Sequence, residues 1–194
     1  MKKYKIIYAD PPWQYGSKEL YGDKVKNKTK RENRFRKIER IYDTMTIKDI
    51  KELPIKEITE DNCALFMWCT DSHLKEGIEV MESWGFKYKT IAFVWIKKTN
   101  KGNTYKNVAP WTLKSTEICL FGTKGTMTKY KKDNSILQLV EAERTKHSKK
   151  PIEVSDRIEK MFGDIPKIEL FARNKKNGWD IWGNEVESDI NLTK

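Results

Sequence analysis

The chain has 194 residues and a formal charge of +11, from 39 Lys and Arg against 28 Asp and Glu. That length suits a single domain, 1–194, built on one core. Its apolar runs, such as Ala64 to Cys69, fall far short of the ~20 residues a bilayer demands. The first apolar run is cut by Asp10, which argues against an export signal. Seven Trp, eight Tyr and seven Phe exclude wholesale disorder, since so much aromatic surface calls for burial. Cys63, Cys69 and Cys119 form no CxxC pair and only His73 and His147 could join them, so no metal site is expected. An odd cysteine count without an export signal predicts a reducing cytoplasm. The basic excess suits a nucleic-acid partner and equally a solubilising lysine surface.

Taken in chain order, Lys5-Ile6-Ile7-Tyr8-Ala9 predicts a buried strand stopped by Asp10-Pro11-Pro12. Lys18 to Arg40 holds ten basic residues against four acidic ones and few apolar ones, a solvated basic loop insertion or weak helix. Thr46 to Leu53 predicts a short helix, capped by Thr44 or Thr46 and closed by Pro54. Cys63 to Cys69 is a second buried strand. Ser72 opens a helix with Leu74, Ile78, Met81 and Trp84 at helical spacing, ended by Gly85. Thr90 to Ile96 and Glu117 to Gly122 are the third and fourth strands. Between them a second basic insertion, 97–114, reads as an irregular loop. Pro151 suits the first turn of a helix carrying Ile152, Ile158, Met161 and Phe162. Ile168 to Ala172 and Trp179 to Gly183 complete the strands.

Apolar strands alternating with helices predict an α/β sheet covered on both faces. Ligands of such sheets bind outside the carboxyl ends of the strands. That rim would carry Asp10, Cys69-Thr70-Asp71, Lys97 and Arg173.

The sharpest local signal is Asp10-Pro11-Pro12-Trp13, directly after a buried strand. An acid, two residues without N–H groups and a large aromatic ring offer hydrogen-bond acceptors beside a stacking face. An adenine amino group brings two N–H donors and a flat ring. Asp10 could accept one hydrogen and the Pro11 carbonyl the other, while Trp13 stacks on the base. Holding both hydrogens localises the nitrogen lone pair and readies it for in-line attack on an activated methyl group. The plain alternative is a turn that ends a strand, with Trp13 in the core.

Tyr8-Ala9-Asp10-Pro11-Pro12-Trp13 resembles the signature of the mRNA adenosine methyltransferase-like (MT-A) family of adenine-N6 methyltransferases, in its bacterial and phage type. The likeness continues through Tyr42-Asp-Thr-Met45, Ala64 to Cys69, Trp84-Gly85-Phe86, Val94-Trp95-Ile96-Lys97 and Ser115 to Gly122. It ends with His147 to Pro151, Glu169 to Arg173 and Gly178 to Glu185. The resemblance implies a Rossmann-like fold that uses S-adenosyl-L-methionine, in permuted order: catalytic strand first, cofactor elements C-terminal. It implies that Lys150 meets the methionine carboxylate, that Asp10 also faces the ammonium, and that Arg173 contacts the ribose region. Asn184 and Glu185 would meet the ribose or adenine. A cation for a carboxylate and polar groups for a vicinal diol make chemical sense.

Two departures stand out. Only nine residues precede Asp10, and Asn174-Lys175-Lys176 replaces the His-Asn that follows the matching arginine in eukaryotic members. The expected reaction is methyl transfer to the adenine N6 amine in DNA. RNA adenosine is the alternative substrate, and a non-catalytic nucleic-acid-binding partner the alternative role. Nucleic acid is expected at Lys26, Lys28, Lys30, Arg31, Tyr42, Trp95 and Lys97. A homodimer or a partner subunit stays open, and no membrane is involved.

Overall fold

Strand β1 (Tyr4–Ala9) is almost wholly buried and pairs in parallel on both sides, with β2 (Thr59–Cys69) and with β6 (Lys167–Leu170). The computed structural model describes residues 2–14, 44–109, 111–145 and 149–192. The expectations placed on 18–40, and so on Lys26, Lys28, Lys30 and Arg31, and the one placed on Tyr42, lie outside the described residues.

Among the described residues the sheet has seven strands in the order β5-β3-β4-β2-β1-β6-β7. The others are β3 (Lys87–Lys98), β4 (Thr116–Lys124), β5 (Leu139–Glu143) and β7 (Asp180–Trp182). All run in one direction except β4, which is antiparallel to both β2 and β3. Apolar runs alone gave no hint of this reversal. Strand β5 was not expected either, because only Val140 and Ala142 of Leu-Val-Glu-Ala-Glu turn inward. Strand β6 stops at Leu170 and not at Ala172, because Phe171 takes φ 62°, a left-handed conformation that breaks the ladder.

Alternation along the strands fills two cores, as period-2 geometry requires. One face carries Ile7, Leu65, Met67 and Leu120 under helices α1 (Ile47–Glu52) and α2 (Leu74–Ser83). The opposite face carries Ile6, Tyr8, Phe66, Trp68 and Trp95 under helix α3 (Ile152–Phe162). Both faces are covered, as the continuous apolar strands predicted. Burial of indoles is matched by satisfied N–H groups: Trp84 donates to the Ile50 carbonyl at 2.9 Å and Trp95 to the Ala142 carbonyl at 3.0 Å.

Local sequence sets the helix ends. Thr46 caps α1, its hydroxyl accepting the Asp49 N–H at 3.1 Å, and Pro54 follows the last turn. After α2, the Gly85 N–H reaches the Glu82 carbonyl at 2.9 Å and the Phe86 N–H the Met81 carbonyl at 3.1 Å. That is a Schellman motif, and its left-handed position, φ 88°, belongs to Gly85. Pro151 occupies the N-cap of α3, one place before the first turn. No helix among the described residues is long and apolar enough to cross a membrane.

Candidate active site

The site forms at the carboxyl rim because β1, β2, β3 and β6 all end there and the reversed β4 begins there. Asp10 follows β1 directly, and its N–H points to the Leu170 carbonyl at 3.4 Å. Glu117 enters from the start of β4, Lys97 from the end of β3, Lys150 from the approach to α3 and Arg173 from beyond β6.

These charges form a chain. Lys150 Nζ lies 2.8 Å from Asp10 Oδ2 and 3.6 Å from Glu117 Oε1, and Lys97 Nζ lies 3.2 Å from Glu117 Oε2. The Lys150 ammonium also sits 5.6 Å above the Trp68 ring. Burial works to discharge Lys150, but Asp10 and Glu117 together hold its ammonium above the ordinary lysine value. Burial likewise pushes the Asp10 carboxyl above its usual range; Lys150 opposes this and Glu117 reinforces it. On the neighbouring strand, burial raises the Glu169 carboxyl to about 7, with Asp10 adding to the effect.

A cleft of about 150 Å³ opens here, lined by Tyr8, Asp10, Lys150, Glu169, Phe171 and Arg173 among others. Its floor is fixed by a relay of hydrogen bonds: Trp13 Nε1 donates to the Trp68 carbonyl at 3.1 Å, and Trp68 Nε1 to the Tyr8 hydroxyl at 2.6 Å. Beyond β6, the chain passes close to Gly183, where an added Cβ would stand 2.2 Å from the Ala172 carbonyl oxygen. Glycine there lets the segment leading to Arg173 lie against β7.

The structure brings together Asp10, Lys150 and Arg173, as the sequence led us to expect. Asn184 and Glu185 do not line the cleft; both are exposed, and Glu185 Oε1 lies 3.7 Å from Arg173 Nε. Lys97 reaches the rim, but its ammonium is committed to Glu117 and lies 5.1 Å above the Trp95 ring.

Two expectations need correction. Trp95 is 0% exposed, packed on the α3 side of the sheet, so a nucleic acid has no access to its ring. Trp13 is 6% exposed and stacks on His73 with ring centroids 5.6 Å apart, which leaves no open face for a base. Pro11 is buried and Pro12 half-buried. Their carbonyls already accept the Trp13 N–H at 2.9 Å and the Met45 N–H at 3.0 Å. A carbonyl has two lone pairs, so one remains on Pro11.

Sequence reasoning gave no role to Glu117 or Glu169. The signal was present in both cases: a single acid set in an apolar strand, where an unpaired charge is costly.

Two carboxyl groups, Asp10 and Glu169, and five basic side chains, Lys149, Lys150, Arg173, Lys175 and Lys176, line the cleft, and this mixture suits a ligand with an ammonium, a carboxylate and a sulfonium. Those are the charged groups of S-adenosylmethionine, and the donor set fits it. Cleft, strand direction and motif order are those of a Rossmann-like methyltransferase dependent on that cofactor. The chain belongs to the MT-A70 family, whose model matches residues 4–185. Type II methyltransferase M.MunI of Mycoplasma sp is 43% identical over 190 residues, covering 95% of this chain and 78% of that protein. The human N(6)-adenine-specific methyltransferase METTL4 is 30% identical over 199 residues, covering 95% of this chain and 38% of the other. The human N(6)-adenosine-methyltransferase catalytic subunit METTL3 is 25% identical over 189 residues, at 95% and 28% coverage.

Proposed function

We propose that this protein transfers a methyl group from S-adenosylmethionine to the exocyclic N6 amine of adenine in DNA. The observation that carries the reading is Asp10, held at the mouth of a cleft that suits the cofactor and paired with a cation, Lys150, that a ligand carboxylate can claim. S-adenosylmethionine supplies an electrophilic methyl group on a sulfonium. Asp10 accepts one hydrogen of the adenine amine, and the remaining lone pair of the Pro11 carbonyl accepts the other. The amine is thereby oriented and its lone pair localised. Lys150 binds the methionine carboxylate and Arg173 the ribose region, with Glu185 orienting Arg173. Trp13 acts from the core, as the prop that fixes the Asp10-Pro11-Pro12 turn.

We favour DNA over RNA because the relative at 43% identity is a type II methyltransferase, whereas the adenosine methyltransferase METTL3 is only 25% identical. Lys26, Lys28, Lys30, Arg31 and Tyr42 supply the nucleic-acid contacts in this reading, and Lys97, whose ammonium is held by Glu117, does not. Three buried free thiols suit a cytoplasmic setting. The test is incubation with labelled S-adenosylmethionine and single- or double-stranded DNA or RNA, followed by nucleoside analysis. N6-methyldeoxyadenosine is the expected product. Silence on all four substrates would overturn the reading in favour of a non-catalytic binding partner.

A further inference from the structure

Of the chain's seven tryptophans, Trp111 is 94% exposed, while Trp13, Trp68, Trp84, Trp95 and Trp179 are each 6% exposed or less. It stands in the connection between β3 and β4, with Val108 at 73% and Leu113 at 57% exposure beside it. An indole left in water forgoes a large burial gain, so its position calls for an explanation.

Backbone hydrogen bonds tie the base of the connection together. Thr99 N–H bonds to the Asn103 carbonyl and Tyr105 N–H to the Lys97 carbonyl, at 2.8 and 2.7 Å. Asn107 and Lys114 exchange both backbone hydrogen bonds, each 2.8 Å, an isolated bridge that closes the loop carrying Trp111. Two contacts pin the connection: Lys114 pairs with Asp71 just beyond β2, and the Arg144 guanidinium covers the Tyr105 ring at 4.8 Å. Its foot, Lys97, contacts Glu117, which contacts Lys150, which contacts Asp10. The connection thus presents Trp111 from the rim that carries Asp10.

Its surroundings select the occupant. Residues 97–114 contain five lysines and no acidic residue; Lys97, Lys98 and Lys114 pair with Glu117, Glu141 and Asp71, and the exposed Lys101 and Lys106 bring a charge suited to phosphate. An N6 amine inside a duplex is out of reach of Asp10 until its nucleotide is extruded, and extrusion leaves a gap in the stack. Exposed apolar side chains inserted at base steps are a known way to open and fill such gaps.

We propose that Trp111 is the wedge that enters duplex DNA and holds the stack while the target adenine swings into the site. This rests on the DNA-methylation reading above and adds to it a positioning residue.

The experiment uses the full chain as wild type, Trp111→Ala and Trp111→Phe, on a site that the wild type methylates. Single-turnover rates are measured on the A·T duplex, on the same duplex with an abasic site opposite the target, and on the single strand. 2-Aminopurine at the target position reports extrusion by its fluorescence. Trp111→Ala is expected to be at least tenfold slower on the A·T duplex, with a weaker fluorescence rise, yet within twofold of wild type on the other two substrates. Trp111→Phe should recover most of the duplex rate. An equal loss on all three substrates, or no loss on the duplex, overturns the wedge. So does a Trp111→Ala variant that methylates normally but changes its sedimentation, since Trp111 would then serve a protein interface. Wild-type silence on every DNA would overturn the methylation reading itself, and the wedge with it.

Discussion

Lys150 Nζ lies 2.8 Å from Asp10 Oδ2 and 3.6 Å from Glu117 Oε1, so one ammonium serves two buried carboxylates. Glu117 has a second cation in Lys97, whereas Asp10 leans mainly on Lys150. A ligand carboxylate that draws Lys150 away therefore also frees Asp10.

Removing this ammonium should hurt binding and stability together. Lys150→Ala is expected to weaken S-adenosylmethionine binding at least tenfold by calorimetry. It should also cost about 3 kcal/mol in denaturant unfolding, because the carboxylates lose their shared partner. The double variant Asp10→Ala, Lys150→Ala should regain much of that stability and none of the affinity. Cofactor binding untouched by Lys150→Ala would take the residue out of the site.

Asp10→Ala should fold and lose turnover by ~10²–10³-fold, the scale of losing one positioned acceptor or donor in an active site. Thermal unfolding and methyl-transfer rates on the same preparation settle the matter. Near wild-type turnover would reduce the Asp10-Pro11-Pro12 stretch to a plain turn.

Glu169 gives a pH signature of known sign. Its folded carboxyl keeps a proton up to about 7, whereas an unfolded one releases it near 4.5. Between those values the native state binds more protons, so this residue makes stability fall as pH rises, by up to about 3 kcal/mol. Glu169→Gln should cancel that slope. Urea midpoints of both proteins at pH 5 and pH 8 provide the check, and parallel pH profiles would contradict it.

Trp13→Ala should destabilise the fold by ~3–5 kcal/mol, the usual cost of emptying an aromatic core site. Trp13→Phe should cost less, since it chiefly leaves the Trp68 carbonyl without its 3.1 Å donor. Loss of activity should follow loss of stability across the two variants. Full stability with lost nucleic-acid affinity would restore the stacking role.

What was legible in the chain follows from what local pattern encodes. Strands β1 to β4, β6 and the three helices announced themselves through apolar runs, helical spacing, Thr46 and Gly85. Asp10, Lys150 and Arg173 were legible because each stands in a motif at an element's end. Strand direction was not, since Glu117 to Gly122 reads equally well either way until its neighbours are known. Strand β5 hid because an edge strand needs few apolar residues. Trp13 and Trp95 were misassigned for a different reason: an aromatic residue in a motif looks the same whether it lines a groove or props one from beneath. Glu117 and Glu169 lacked meaning until folding placed their strands beside Asp10.

The reversed strand β4 has a consequence for how this scaffold can diversify. A parallel crossover must travel the full length of a sheet, but β3 and β4 are joined as a hairpin whose turn projects at the reactive rim. Residues can be added to that turn, or exchanged within it, while the register of every strand and the position of Asp10 stay as they are. The connection can thus vary in length and composition without resetting the sheet.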